Sequence, residues 1–201
     1  LRDRFIALID REIAHAKEGK EAYIVAKMNS LCDRQIIEKL YEASSVGVEI
    51  YLVIRGICCL RTGIPGVSEH IHVTSIVGTF LEHSRIFYFY NNGQEDIYMG
   101  SADWMPRNLD RRVEIVFPVE DDVIKDRIKH ILDVLLRDNL KAYAMLSDGT
   151  YAKMSRRGKQ AIGAQMTFCR EAMEGAKEET TVWKGRRFIP IWAFDEEEHE
   201  A

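Results

Sequence analysis

The residue types most capable of chemistry occur in two short stretches of the chain, FLEHSRIFYFY and MGSADWMPRNLDRRVE. In the first stretch, His83 stands two positions before Arg85, where an apolar run begins. In the second, Ser101 and Asp103 follow the next apolar run. The turn signal Asn-Asn-Gly at 91–93 lies between the two runs and predicts a hairpin. Because a hairpin places its outer ends side by side, we expect His83 to lie beside Ser101 and Asp103.

This set of side chains suits phosphoryl transfer. An imidazole such as that of His83 can move a proton near neutral pH or accept a phosphoryl group itself. Arg107, Arg111 and Arg112 follow within ten residues of the carboxylate. Guanidinium groups match phosphate oxygens bidentately and keep their charge in a dry site. The carboxylate of Asp103 could also fix the tautomer of the imidazole through one ring N–H.

Two simpler interpretations of these residues remain open. A single histidine beside a strand is more often a structural residue than a catalytic one. The arginines could form a surface of salt bridges, because Glu82, Asp103, Asp110 and Glu114 lie close to them in the sequence.

Alternating strands and helices must position this chemistry. Apolar residues at helical spacing predict helices at 2–18, 33–46 and 120–138. Short apolar or β-branched runs predict strands at 22–27, 48–55, 70–77, 84–90, 95–99 and 111–119. Asp148-Gly149 marks a further turn. Two strands joined by a helix are typical of a βαβ crossover, which predicts parallel strands in an α/β sheet.

Two more basic residues end the first two predicted strands. Lys27 closes the first strand and Arg55 closes the second. Sheets of this class place ligands at the carboxyl edge of their strands. Lys27 could touch a phosphate chain there. Arg55, taken by itself, would more often cap strand carbonyls than bind a ligand.

Composition limits the classes of protein that the chain can represent. It has 201 residues, 46% of them hydrophobic and 30% charged, which is ordinary for a globular protein. A net charge of −4 provides no global basic field for nucleic acid, so any polyanion must bind at a local basic site. The four cysteines lack the spacing of a zinc site and are typical of reduced thiols in a cytosolic protein.

No apolar run approaches the roughly 20 residues that a transmembrane helix needs, so we expect a cytoplasmic protein, with peripheral membrane association left open. The character of the chain changes after about residue 150. We therefore predict a domain at 1–152 and a tail at 153–201 with weak helical periodicity and an acidic, solvated end. Because the first residue is leucine, we expect the chain to be part of a longer polypeptide.

The arrangement His-x-Arg, hairpin, Gly-Ser-x-Asp resembles the phospholipase-D-type signature, which has His-x-Lys followed by Gly-Ser-x-Asn. Arg85 stands where that signature has lysine, Tyr90 where it has aspartate, and Asp103 where it has asparagine. These departures argue against a phosphodiesterase and favour a relative with altered chemistry.

Longer stretches resemble the second C-terminal domain of the long, multidomain polyphosphate kinases. They are AKMNSLCDRQIIEKLYEASSVGVEIYLVIRGICCLRTGIPGVSEHIHVTSIVGTFLEHSRIFYF and SADWMPRNLDRRVE. The resemblance covers about residues 1–151. It implies an α/β fold, a phospholipase-D-like mixed β-sheet flanked by helices on both faces, followed by a partly helical C-terminal tail.

The resemblance implies reversible transfer of the terminal phosphate of ATP to inorganic polyphosphate, with magnesium, through a phosphohistidine. The active site would lie between two phospholipase-D-like domains. The phosphorylated histidine and the magnesium-linked arginines would belong to the preceding domain, so this chain would hold no metal ligands. His83 would be the catalytic partner histidine, and Arg55 and Arg112 would contact phosphates, with Arg107 as a further phosphate contact. An arginine often stands in the family where this chain has Thr79.

Supporting roles would fall to Arg85, Ser101, Asp103 and Lys27. We expect Arg55, His83 and Arg112 to line one shared hollow. The implied partners are ATP or ADP, inorganic polyphosphate, the remaining domains of the same polypeptide and, in the complete enzyme, further copies of it, but no nucleic acid. The isolated chain should be inactive as a kinase.

Two other functions remain possible from the sequence. A phospholipase-D-type phosphodiesterase could act as a homodimer that contributes His83 twice. A regulatory or assembly module could have lost its activity.

Overall fold

A computed structural model describes residues 1–178 of the chain. The chain divides into one compact unit at 1–167 and a second unit at 168–201. The sheet and the candidate site lie in the first unit. The predicted acidic end falls outside the described residues.

Helices and strands alternate along the described residues. The helices are α1 (Arg2–Lys17), α2 (Arg34–Ser45), α3 (Asp122–Leu136) and α4 (Ala164–Glu178). The strands are β1 (Tyr23–Met28), β2 (Glu49–Ile54), β3 (Ile71–Ile76), β4 (Ile86–Phe89), β5 (Asp96–Gly100), β6 (Val116–Pro118), β7 (Ala142–Met145) and β8 (Tyr151–Lys153). A 3-10 turn (Asn91–Gly93) and a short π-helix (Arg107–Arg111) complete them.

The strands form one mixed sheet in the order β6-β5-β4-β1-β2-β3-β7-β8. Strands β1, β2 and β3 are parallel, and the remaining neighbours pair antiparallel. The β1-α2-β2 unit is the predicted βαβ crossover. Its helix begins at Asp33, whose carboxylate accepts a hydrogen bond from Ile36 N at 3.2 Å.

Helices cover both faces of the sheet, as the sequence predicts. On one face, α1 and α2 pack against alternate residues of β1 such as Ile24 and Ala26. On the other face, Ile128 and Leu132 of α3 pack against Val25. This division follows from the two periodicities of the sequence, because strand side chains alternate between faces while helix side chains recur every three or four positions.

One edge of the sheet collects the ends that carry the predicted site. The carboxyl ends of β1, β2 and β3 lie there with the start of β4 and the end of β5, since Lys27 is paired with Ile86 and Ile86 with Met99. We call this the carboxyl edge. The hairpin of β4 and β5 therefore has the predicted geometry.

The predicted strand at 111–119 is wrong over most of its length. Only Val116–Pro118 pair, and the chain before them forms the π-helix and an irregular stretch. Val113 and Ile115 precede β6, the outer strand of the sheet, and their side chains are exposed. The turn at Asp148-Gly149 is confirmed, and it joins β7 to β8.

None of the helices in residues 1–178 has the length and the apolar character needed to pass through a bilayer. The four cysteines are free thiols.

Candidate functional site

Lys27 is a buried cation at the carboxyl edge. Its residue is only 2% exposed. Its Nζ donates a hydrogen bond to the carbonyl oxygen of Ser84 at 3.2 Å and lies 3.4 Å from Glu82 Oε2. Burial lowers the pKa of Lys27, the carboxylate of Glu82 opposes this, and the positive charges of Arg55 and Arg85 lower the pKa further. Lys27 therefore holds the segment before β4, and its contact with phosphate stays a prediction.

Arg85 and Asp103 form a two-point ion pair beneath the same edge. Arg85 Nε lies 3.2 Å from Asp103 Oδ1, and Arg85 Nη2 lies 3.1 Å from Asp103 Oδ2. Asp103 Oδ1 also accepts hydrogen bonds from Asn29 N at 2.7 Å and from Asn29 Nδ2 at 3.2 Å. Burial raises the pKa of Asp103, but the hydrogen bonds from Arg85 and Asn29 outweigh it and leave that pKa below its ordinary value.

His83 lies at the carboxyl edge with an exposed side chain. Its carbonyl oxygen accepts a hydrogen bond from Arg85 Nη1 at 3.0 Å, so Arg85 fixes the backbone of His83 rather than its ring. The sequence had suggested that Asp103 orients the imidazole. The structure differs, because the hydrogen bonds to the Asp103 carboxylate come from Arg85 and Asn29.

Ser101 lies at the end of β5 but its hydroxyl is directed to Glu114. Ser101 Oγ donates to Glu114 and accepts from Ile115 N at 3.1 Å. Asn108 donates to the other oxygen of the same carboxylate. The hydrogen bond from Ser101 lowers the pKa of Glu114, burial opposes it, and Asn108 and the charge of Arg112 lower it further. This network fixes the stretch that carries the exposed arginines.

The arginines of the π-helix region do not form the salt-bridged surface that was one interpretation. Arg2 connects the π-helix to the start of α2. Its guanidinium lies 2.8 Å from an oxygen of Asp33 and 2.5 Å from an oxygen of Asp110. Arg107 and Arg112 are exposed and have no ion pair within residues 1–178. Their charges are therefore available to an anion.

Arg55 stands at the end of β2 and lines a cavity of about 320 Å³. The rest of the lining comes from the chain between Ile76 and Leu81. Its Nε is buried without a hydrogen-bond partner among the described residues, and no carbonyl accepts from its guanidinium there. The Nε atom of Arg55 therefore does not cap a strand carbonyl within the described residues. A buried N–H without a partner costs free energy, and an anion in the cavity would satisfy it.

Arg55, His83 and Arg112 lie along one edge but do not share the expected hollow. Arg55 lines the cavity, whereas His83 and Arg112 are exposed residues outside its lining. Between them lies Arg85, which is paired with Asp103 and donates a hydrogen bond to the carbonyl oxygen of His83. The site is an open basic edge rather than a closed pocket.

The residues at this edge do not fit a magnesium ion held by the chain. In the part of the chain that the structure describes, no three His, Cys, Asp or Glu side chains are grouped to hold a metal. The nearby carboxylates are engaged, Glu82 beside Lys27 and Asp103 with Arg85. Mg²⁺ needs free oxygen ligands in octahedral geometry, and the described residues at this edge do not group such a set.

One residue of the edge escaped the sequence reasoning entirely. Gln165, near the start of α4, exchanges two hydrogen bonds with the backbone of Phe80. No signal in the sequence connects these residues, because they are 85 positions apart and glutamine is ordinary in a helix.

The fold defines the class of protein. NucT from Helicobacter pylori has a structure that matches 67% of this chain and 88% of its own with a TM-score of 0.50. At 12% identity this likeness concerns the fold alone. The domain has the phospholipase-D-like fold that the sequence predicts.

The sequence assigns the family. The profile described as "Polyphosphate kinase C-terminal domain 2" matches residues 1–165, and the chain belongs to this family. The resemblance seen in the sequence is confirmed.

Solved and curated relatives agree with this assignment. The crystal structure of polyphosphate kinase from Porphyromonas gingivalis is 42% identical with a TM-score of 0.84, over 90% of this chain and 28% of that one. The polyphosphate kinase of Thermosynechococcus vestitus is 58% identical over 75% of this chain and 21% of the relative. That of Pseudomonas aeruginosa is 53% identical over 80% and 23%. The chain thus spans about a quarter of the length of these relatives.

Proposed function

We propose that this domain supplies one half of the active site of an ATP-dependent polyphosphate kinase. The enzyme transfers the terminal phosphate of ATP reversibly to inorganic polyphosphate. A histidine on another domain attacks the γ-phosphorus, the bond from that phosphorus to the ADP oxygen breaks, and the phosphoryl group passes from the histidine to the polyphosphate chain. The carboxyl edge of this domain faces the phosphates during both transfers.

The observation that carries this proposal is the group of unneutralised cations at the carboxyl edge. Arg55 has a buried N–H without a partner beside an open cavity, and Arg112 is exposed without an ion pair among residues 1–178. In a protein of net charge −4, positive charge left unpaired at the end of a sheet suits a polyanion.

Each cation has a distinct role in the proposal. Arg55 and Arg112 neutralise charge on the phosphate oxygens, which is the main contribution a protein makes to phosphoryl transfer. His83 donates a proton or a hydrogen bond to the phosphate, because its imidazole is exposed and its ring nitrogens can act as donors or acceptors. Arg107 contacts phosphates farther along the chain. Arg85 holds the backbone of His83.

The remaining parts of the proposal concern partners and location. ATP or ADP and polyphosphate are the substrates, the other domains of the polypeptide complete the site, and the complete enzyme is a homo-oligomer. We place the protein in the cytoplasm because ATP is available there and because free thiols are typical of that compartment.

The phospholipase-D-type phosphodiesterase gains no support from the geometry. Arg85 stands where that signature has lysine, and its charge is engaged by Asp103. Tyr90 stands where the signature has aspartate, and its ring stacks on Tyr23 with centroids 4.5 Å apart, beyond the opposite end of β4 from His83. Neither of these residues is placed for the phosphodiesterase mechanism.

The test uses the full-length polyphosphate kinase that carries this domain. His83→Ala should lower ATP-dependent polyphosphate synthesis by about 10²-fold or more, the size of effect that loss of a contact to transition-state charge produces. The matched control is His72→Ala, because His72 is also exposed but belongs to β3. Wild-type turnover of the His83 variant would remove His83 from the mechanism. Synthesis by the 201-residue chain alone would contradict the split site.

A further inference from the structure

The side chain of Gln165, from a distant part of the chain, helps to hold the segment that carries His83. Phe80 N donates a hydrogen bond to Gln165 Oε1 at 3.0 Å, and Gln165 Nε2 donates to Phe80 O at 2.8 Å. The amide of Gln165 thereby pairs with the Phe80 residue as a neighbouring strand would. Gln165 Nε2 also donates to Glu82 Oε1 at 2.8 Å. Both donor hydrogens and the oxygen of the amide are used.

The other carboxylate oxygen of Glu82 continues this network into the sheet. It lies 3.4 Å from Nζ of Lys27, which also donates to Ser84 O. Phe80, Glu82 and Ser84, which alternate along the segment, are thus held by hydrogen bonds or an ion pair. Leu81 and His83 between them are exposed. The residues on both sides of His83 are fixed, and its imidazole is left free to meet a substrate.

The start of α4 is itself fixed, so Gln165 reaches the segment from a defined position. Asp138 is 1% exposed, and its Oδ2 accepts a hydrogen bond from Ala164 N at 2.7 Å. Asn139 Oδ1 accepts from Ile162 N at 3.0 Å, and Asn139 Nδ2 donates to the carbonyl oxygen of Gln160 at 2.7 Å. These bonds tie the chain before α4 to the loop between α3 and β7.

We propose that Gln165 is a positioning residue of the candidate active site, which sets the place of the His83 imidazole through its hydrogen bonds to Phe80 and Glu82. Its catalytic consequence rests on the proposed function of His83. A neutral primary amide is required, because the position needs one acceptor and two donors at once. A glutamate of the same shape would still accept from Phe80 N but would repel Phe80 O and the carboxylate of Glu82.

Gly78 provides an independent way to disturb the same contact. A Cβ added at Gly78 would lie 2.3 Å from Gln165 Oε1 and 2.7 Å from its Cδ. The backbone of Gly78 is outside the left-handed region, so alanine is tolerated there by the backbone and displaces the Gln165 amide by its methyl group alone. Gly78→Ala therefore disturbs the contact between Gln165 and Phe80 by steric displacement, and Gln165→Glu disturbs the same contact by its charge.

The experiment compares Gln165→Glu and Gly78→Ala in the full-length polyphosphate kinase that carries this domain. The matched control is Gln160→Glu, because the Gln160 side chain is exposed and only its carbonyl oxygen bonds within the described residues. The rate of amide hydrogen exchange in residues 78–85 measures how firmly the segment is held in place. Steady-state kinetics between about pH 6 and pH 9 measure how the position of the segment affects turnover.

We expect the backbone amides of the segment to exchange about tenfold faster in both variants. We also expect kcat to fall by at least about tenfold with little change in KM for ATP, because misplacement of a catalytic group impairs the chemical step. In Gln165→Glu the loss should persist from pH 9 to pH 6, because a glutamate carboxyl has an ordinary pKa of about 4.3 and stays ionised over this range. Gly78→Ala should show a similar loss without any added charge, and Gln160→Glu should match the wild type.

The outcomes separate this proposal from the proposed function. Unchanged exchange in both variants overturns the role of Gln165. The role of Gln165 is also overturned if both variants exchange faster but keep the wild-type kcat while His83→Ala is defective in the same assay. In that case the proposed function of His83 stands. Wild-type turnover of His83→Ala overturns the proposed function itself, and the exchange data alone then decide whether Gln165 holds the segment.

Discussion

The guanidinium of Arg85 meets the carboxylate of Asp103 at two points, with separations of 3.1 and 3.2 Å. These residues occupy two of the positions where the chain departs from the phospholipase-D-type signature, which has lysine and asparagine there. The structure shows that these two departures are in direct contact. Arginine brings a second donor, and aspartate brings the charge that neutralises it. Both departures therefore belong to one ion pair at the carboxyl edge.

Loss of this pair should destabilise the domain. Asp103→Ala leaves the guanidinium of Arg85 without its partner, although its side chain is only 13% exposed, and frees the donors of Asn29. Removing one partner of a buried pair costs about 3–5 kcal/mol. We expect a loss at the lower end of that range in the free energy of unfolding of the 201-residue chain, measured with urea.

The matched control for that change is Asp133→Ala. Asp133 is paired with Arg137 on the surface of α3, where both side chains are more than half exposed. Exposed pairs at this spacing contribute about 0.5 kcal/mol or less. If Asp103→Ala costs no more than Asp133→Ala, the pair with Arg85 does not stabilise the carboxyl edge.

The stability of the domain should also depend on the ionisation of Asp103 in acid. Burial raises the pKa of Asp103, but the hydrogen bonds from Arg85 and Asn29 bring it below the ordinary value of 3.8. A pKa that is lower in the folded state means that the ionised form stabilises the fold. This contribution is complete above pH 3.8 and is lost as the pH falls through the folded-state pKa.

The measurement is the free energy of unfolding of the 201-residue chain as a function of pH, for the wild type and Asp103→Asn. We expect the stability difference between them to be constant near neutrality and to shrink below pH 3.8. If the stability difference between the wild type and Asp103→Asn is the same at every pH, the charge of Asp103 does not stabilise the folded domain.

The fold was predictable where local patterns decide it. Helix α1 buries Phe5, Leu8, Ile9 and Ile13, which recur at helical spacing, and β1 begins with an apolar run before Lys27. The error at 111–119 has a physical cause, because alternating apolar residues are read as buried. Val113 and Ile115 alternate correctly but follow a π-helix beside the outermost strand. Strands β7 and β8 were not assigned, since four and three residues carry little periodicity.

The candidate site was predictable only in part. The hairpin argument placed His83, Arg85 and Asp103 at one edge, because strand pairing fixes the ends of a hairpin from local sequence. The contact of Lys27 with Glu82 depends on how the segment between β3 and β4 folds back, and no local pattern specifies that path. The sequence therefore located the edge, but it did not predict the contact of Lys27 with Glu82, and it paired Asp103 with His83 instead of Arg85.

The proposed role of Arg112 can be separated from general surface charge. Arg111 and Arg112 are adjacent and exposed at the end of the π-helix. Arg112→Ala in the full-length enzyme should lower kcat/KM for polyphosphate synthesis by at least about tenfold, since the lost charge acts on the transferred phosphate. Arg111→Ala removes the same charge one position earlier and should have little effect. Equal losses in both variants would indicate a diffuse electrostatic effect, and equal retention would remove Arg112 from the site.

The buried pair of Lys27 and Glu82 should behave as a coupled unit. Their side chains are 2% and 14% exposed, so either charge is costly without the other. Lys27→Met leaves the carboxylate of Glu82 with Gln165 as its remaining donor, and we expect a loss of at least about 2 kcal/mol in the free energy of unfolding.

The double variant Lys27→Met/Glu82→Gln removes both charges and keeps an oxygen that can accept from Gln165. Because neutral replacement of a whole buried pair is often harmless, we expect it to recover most of the stability that the single variant loses. Urea unfolding of the wild type, both single variants and the double variant gives the coupling free energy directly. Losses that simply add would mean that the two charges do not interact in the folded domain, and that the segment carrying His83 is held by hydrogen bonds alone.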